Sequence, residues 1–238
     1  VLSIFYPCRN YSKWRIGFFD DKINLPASMD TFAIFTIIRL SAALLIFRFP
    51  LFGVLLSALL DGYDWDFLHT TEKFNYDFYQ IWDKFMDLSY LTIALVTVRN
   101  WKDIIAKKIA LFFYAFRTSG VLLYFAFQMK RLLFFFPNVF ENFFIWYLVF
   151  IHISRKHTIP KSRIIWGFII LCIAIPKIIH EYVMHIRNVQ LWHIVDFNFI
   201  DKTNETLRQY TNWLGWGSIL YIIPFSIALL AASRYKKS

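Results

Sequence analysis

Seven apolar stretches, each near the length of a bilayer-crossing helix, recur along the chain with short polar links between them, at about 32–48, 51–69, 79–98, 104–127, 132–153, 163–185 and 213–232. A helix rises 1.5 Å per residue, so about 20 apolar residues cross a hydrocarbon core of roughly 30 Å. No water-soluble domain of 238 residues could hide that much apolar surface; charged residues make up 18% of the chain, against roughly 25% in an ordinary soluble domain. Runs such as Phe134-Phe135-Phe136 would aggregate on a wet surface and suit acyl chains. The expectation is therefore an all-α, polytopic membrane helix bundle of six to seven transmembrane helices, an integral membrane protein whose first partner is the lipid bilayer. Residues 1–31 read as an interfacial N-terminal segment around Trp14, Phe18 and Phe19, and 32–238 as a single transmembrane helical domain.

The net charge of +10 does not point to nucleic acid, because the basic residues fall between the apolar stretches as loop charges do in membrane proteins. Lysine and arginine are nearly balanced between alternate sides, so they leave the orientation open. Cys8 and Cys172 are too isolated for a disulfide framework or a zinc site. Arg48 and Pro50 mark a tight hairpin between the first two stretches, with Pro50 suited to a first helical turn where its missing donor is not needed.

The region carrying chemistry is Leu60 to Leu88, where an acid-poor chain gathers Asp61, Asp64, Asp66, Glu72, Asp77, Asp83 and Asp87. Asp61 and Asp64 stand three apart and Asp83 and Asp87 four apart, so each pair shares one helix face. Converging carboxylates repel and are costly in a bilayer, which calls for a cation. Magnesium or manganese suits best, since hard cations take carboxylate oxygens and complete their shells with substrate phosphates. The competing reading is a solvated interfacial loop with Lys73 and Lys84 as local partners.

These residues resemble the CDP-alcohol phosphatidyltransferase family, whose signature is two aspartates separated by two residues and then, in the next helix, two separated by three. Asp61-Gly62-Tyr63-Asp64 is similar to the first half and Asp83-Lys84-Phe85-Met86-Asp87 to the second; Thr36-Ile37-Ile38-Arg39 resembles the start of the family's first helix. The resemblance covers roughly 32–100. It implies phospholipid biosynthesis: transfer of a phospho-alcohol or phosphatidyl group from a CDP-linked lipid, with release of CMP. It further implies Asp61, Asp64, Asp83 and Asp87 as ligands of Mg2+ or Mn2+, with Asp87 as the catalytic base. A homodimer or a larger membrane complex is the expected assembly, independently of that resemblance. Trp65, Leu68-His69 and Tyr79 stand where the family has a glycine, an Ala-Arg pair and a second glycine. Large side chains there close the backbone to a nucleotide, pointing to an unusual donor or weakened catalysis.

Arg117, deep in an aromatic stretch, reads either as a phosphate clamp in the cofactor site or as the ion-pair partner of Glu141, with Asn138, Glu141 and Asn142 on one face of the next span. Gly120 suits close helix packing. His180-Glu181-Tyr182-Val183-Met184-His185 misses the zinc-protease pattern by one residue, so His180, Glu181, His185 and His193 are expected to be interfacial, and Lys177 after Pro176 to mark a kink. Trp213 and Trp216 read as a headgroup belt. Two other functional classes remain beside the transferase: a non-catalytic subunit packed in a larger membrane complex, and a transporter component, for which Arg117 and Glu141 would be the midplane polar groups.

Overall fold

The computed structural model describes residues 29–68, 76–129, 131–155, 158–185 and 217–234, and among these every regular element is helical. The N-terminal segment 1–28, His193, Trp213 and Trp216 lie outside the described residues, as do the side chains of Trp65, Asp66, Asp77 and His185.

Helix α1 (Met29–Leu44) passes through a 3₁₀ turn (Leu45–Phe47) into α2 (Pro50–Leu68), which starts at the proline as the missing donor predicts. Phe49 donates its backbone N–H to the Leu45 carbonyl at 2.7 Å, and Gly53 to Phe49 at 2.8 Å. A Cβ on Gly53 would lie 2.5 Å from the backbone nitrogen of Ile46, so the hairpin closes only around a glycine. Helix α3 (Tyr76–Val98) packs on both α1 and α2.

Helix α4 (Ile104–Phe127) is capped by Asp103, which is itself buried. Asp103 accepts the backbone N–H of Ile105 at 2.9 Å and of Ala106 at 3.1 Å through one oxygen, and that of Ile159 at 2.8 Å through the other. One carboxylate thus satisfies a helix start and ties down the distant link before α7.

The expected continuous span 132–153 is interrupted. The chain forms a short α5 (Arg131–Phe135), breaks at Phe136-Pro137-Asn138, and resumes as α6 (Val139–Ser154). Pro137 has no N–H to continue the ladder, and Asn138 acts as the N-cap of α6, accepting the Glu141 N–H. Asn138 is therefore a helix cap and not a midspan polar residue. Helix α6 is the hub, packed against α2, α3, α4, α7 and the last helix. Phe140, Phe143, Phe144, Trp146, Tyr147 and Phe150 are fully buried, as expected of a helix that is apolar on all sides. Trp101, from the α3–α4 link, packs its ring 4.2 Å from that of Tyr147.

Helix α7 (Arg163–His185) contains Pro176, and a π-helical turn (Ser218–Ile222) leads into α8 (Ile223–Arg234). By length and composition, three helical segments can cross a membrane: Ile104–Phe127, Arg131–Ser154 taken through its break, and Arg163–Val183. Helices α1 and α8 are apolar but shorter. Helices α2 and α3 carry the acids. The outer surface is apolar, with Leu111, Phe112, Leu122, Phe127, Leu171 and Ile175 exposed.

Candidate functional site

The acidic residues meet where α1, α2 and α3 come together. Three-residue spacing points Asp61 and Asp64 from the last turns of α2 towards α3, whose second turn supplies Asp83. One oxygen from each of the three lies within 4.8 Å of the others, making a compact acidic triad. Asp64 is 1% exposed, whereas the Asp61 side chain is 34% exposed and forms the open edge.

Arg39, from the middle of α1 and 4% exposed, sits among them. Its guanidinium donates to one oxygen of Asp64 and one of Asp61, and lies 3.7 Å from Asp83. The Tyr79 hydroxyl donates to the second oxygen of Asp64 at 2.7 Å, and the Lys84 ammonium reaches Asp83 at 2.6 Å. Trp82 fixes the arginine from behind: its ring centroid is 5.3 Å from the guanidinium carbon, and its Nε1 donates to Thr36 Oγ1 at 2.8 Å. Phe32, Phe35, Phe78 and Tyr79 wall off this end of the bundle, with Phe32 edge-on to Phe78 at 5.3 Å and to Trp82 at 5.6 Å.

Asp87, the fourth aspartate, stands one turn deeper and is not among the three that cluster. Its carboxylate accepts from Arg117 at 2.9 Å, and the same guanidinium donates to the Phe136 carbonyl at 3.1 Å. That carbonyl sits at the α5–α6 break. The ion pair expected between Arg117 and Glu141 is thus replaced by one with Asp87, because α3 and not α6 presents the carboxylate within reach. A Cβ on Gly120 would lie 2.2 Å from Phe136 Cβ, so the glycine is what lets the α5–α6 break pack on α4.

Glu181 is buried and paired with Lys177 at 3.2 Å, and His180 Nδ1 is 2.6 Å from the Tyr221 hydroxyl. Both lie in the last two turns of α7, Glu181 buried and His180 half-buried, where the π-helical turn brings Tyr221 against α7.

Sequence reasoning assigned no electrostatic role to Arg39 or Tyr79. The signal for the first was present, an arginine in the middle of the apolar stretch 32–48; nothing in the sequence marks Tyr79 as the hydroxyl that meets Asp64. Chemically, three carboxylates face Arg39 and Lys84, which leaves one negative charge unbalanced. An all-oxygen donor set of this kind fits a hard divalent cation. Compared with known proteins, the chain matches no family model, no curated protein and no solved structure.

Proposed function

We propose that the chain is a polytopic integral membrane protein of six to seven spans, and that the acidic triad is the centre of a transferase resembling the CDP-alcohol phosphatidyltransferases. The supporting observation is the convergence of Asp61, Asp64 and Asp83 from two helices to within 4.8 Å. Mg2+ or Mn2+ would be held by those three aspartates and would supply Lewis-acid stabilisation of charge on the phosphoryl group being transferred. The open Asp61 edge is the side from which a phosphate would approach. Arg39 presents a fork that matches phosphate oxygens as well as carboxylates, so it is the residue to receive the donor's phosphate.

Asp87 is the base in this reading. Arg117 holds one of its oxygens, leaving the other to take the proton from the acceptor alcohol. The alcohol oxygen then forms its bond to phosphorus as the bond to CMP breaks, and CMP leaves with the electron pair. Arg117 is accordingly a positioning residue for Asp87. Tyr79, on Asp64 where the family has a glycine, narrows the approach of a nucleotide, which favours a donor other than the usual cytidine lipid.

The test is CMP release from CDP-linked lipid donors by the reconstituted protein with manganese. Asp87→Asn should lower turnover by about 10²–10⁴-fold, the usual worth of a general base. Unchanged turnover would remove Asp87 from that role.

A second reading rests on a different observation: each acid already touches a protein cation, Arg39 shared by Asp61 and Asp64, Lys84 on Asp83 and Arg117 on Asp87. Such a core suits a non-catalytic subunit of a larger membrane complex, its charges kept for structure. Manganese titration followed by electron paramagnetic resonance separates the two. Binding that is lost in Asp61→Asn supports the transferase, and absence of binding together with co-purification at fixed stoichiometry supports the subunit.

A further inference from the structure

A second group of buried charges lies beside the triad, where α3, α4, α6 and α7 meet, and the transfer chemistry does not use most of it. It contains two ion pairs. Arg117 is bonded to Asp87 at 2.9 Å, and Lys177 to Glu181 at 3.2 Å. Glu141, in the first turn of α6, is within electrostatic reach of both, of Lys177 on one side and of Asp87 and Arg117 on the other. Yet no lysine or arginine among the described residues comes within ion-pair distance of it. The groups that reach its carboxyl are neutral donors, the Asn138 amide at 2.9 Å and the neighbouring Tyr90 hydroxyl.

Three carboxylates therefore share two cations. The other cations that act on Asp87 are committed to the triad, Lys84 to Asp83 at 2.6 Å and Arg39 to Asp61 and Asp64. An uncompensated carboxylate in such surroundings is strongly penalised, and the ordinary escape is to take up a proton. Asp87 and Glu181 each hold a cation at bonding distance, which leaves Glu141 as the acid of the three that carries the proton. A neutral carboxyl needs an acceptor for its O–H. Tyr90, on α3 next to Glu141, has a buried hydroxyl with no other partner: it donates to the carboxyl when that is ionised, and its oxygen can accept the O–H once the carboxyl is protonated.

We infer that Glu141 is a proton-binding site inside the bundle, holding one exchangeable proton between the Arg117–Asp87 and Lys177–Glu181 pairs. The α5–α6 break makes the site possible. Pro137 ends the ladder, and Asn138 turns its side chain onto Glu141, so the carboxyl is held by a cap and not by a cation. Lys177, whose side chain is 16% exposed, marks the side from which the proton exchanges. The groups facing the site are Asp87 and Tyr90 from α3, Arg117 from α4, Lys177, His180 and Glu181 from α7, and Tyr221 from the π-helical turn. Intramembrane acids so placed serve as proton relays in other bundles. The inference does not depend on the triad being a transferase, since it concerns charges that exist with or without that reaction.

The test is infrared spectroscopy of the full chain in lipid vesicles, with glutamate carboxyls carrying ¹³C. The chain has four glutamates, Glu72, Glu141, Glu181 and Glu205, so the label confines the assignment and sets His180 aside. The expected result is a carboxylic-acid C=O band at neutral pH that shifts with the label, fades in alkaline buffer and is lost in the near-isosteric Glu141→Gln. Lys177→Met, which withdraws a cation, should preserve the band to higher pH, and Glu181→Gln, which frees Lys177 for Glu141, should move its loss to lower pH. These two variants keep the question decidable if Glu141→Gln fails to fold. Absence of a protonated glutamate band in the unsubstituted protein, or a band that survives Glu141→Gln, would overturn the assignment.

Discussion

At the scale of single residues, Arg39 decides the character of the acidic centre. Its fork takes an oxygen from each of Asp61 and Asp64, and its face lies over Trp82, so charge, hydrogen bonds and packing all hold it in one orientation. Removing one partner of a buried ion pair typically costs about 3–5 kcal/mol, because the other charge is stranded. Arg39→Met should therefore lower the unfolding temperature clearly in a detergent-solubilised melt. Under the transferase reading, manganese should restore part of that loss by replacing the missing cation, whereas under the subunit reading it should not. Arg39→Lys is not a mild change here, since an ammonium cannot span two carboxylates as a planar fork does.

At the scale of elements, the broken span is the decisive feature. The Phe136 carbonyl at the break accepts from Arg117, Phe136 packs into the space left by Gly120, and Asn138 starts α6 with Glu141 in its first turn. An arginine, a glycine and a proline from two helices thus act as one joint. Gly120→Val should cost about 1–3 kcal/mol by overpacking against Phe136. Phe136→Gly in the same chain, which removes both the Cβ and the ring that a Gly120 substituent would meet, should recover part of that, a non-additivity measurable in a double-mutant cycle of unfolding free energies. If the two changes simply add, Gly120 is not the contact that sets the α4–α5 spacing. The triad depends on a different joint, the Gly53 hairpin that brings α1 alongside α2 and so delivers Arg39 to the aspartates.

At the scale of the whole molecule, the surface and the buried charges are distributed oppositely. Large apolar side chains cover the outside of α4 and α7, while Arg39, Asp64, Asp83, Asp87, Arg117 and Glu181 are inside. That is the arrangement a hydrocarbon solvent favours, with charges facing the bundle interior and one another. The chain should remain in the membrane pellet after alkaline carbonate washing of vesicles and be released only by detergent. Appearance in the carbonate supernatant would instead make the apolar surface a contact for peripheral partners. The links between α3 and α4 and between α4 and α5 are short, as between neighbouring helices of a bundle. Both polar centres draw on the C-terminal halves of α2, α4 and α7.

Helix content and approximate helix bounds were legible in the sequence, because about 20 consecutive apolar residues leave a chain few alternatives in lipid. So was the pairing of Asp61 with Asp64 on one face, which follows from the period of a helix and needs no knowledge of neighbours. Which cation meets which acid was not legible. Arg117 had acids available on more than one helix, and only the packing of α4 against α3 selected Asp87 over Glu141. Local periodicity sets the face from which a side chain projects, but the partner on the other side of the gap is chosen by how helices distant in the chain come to lie together.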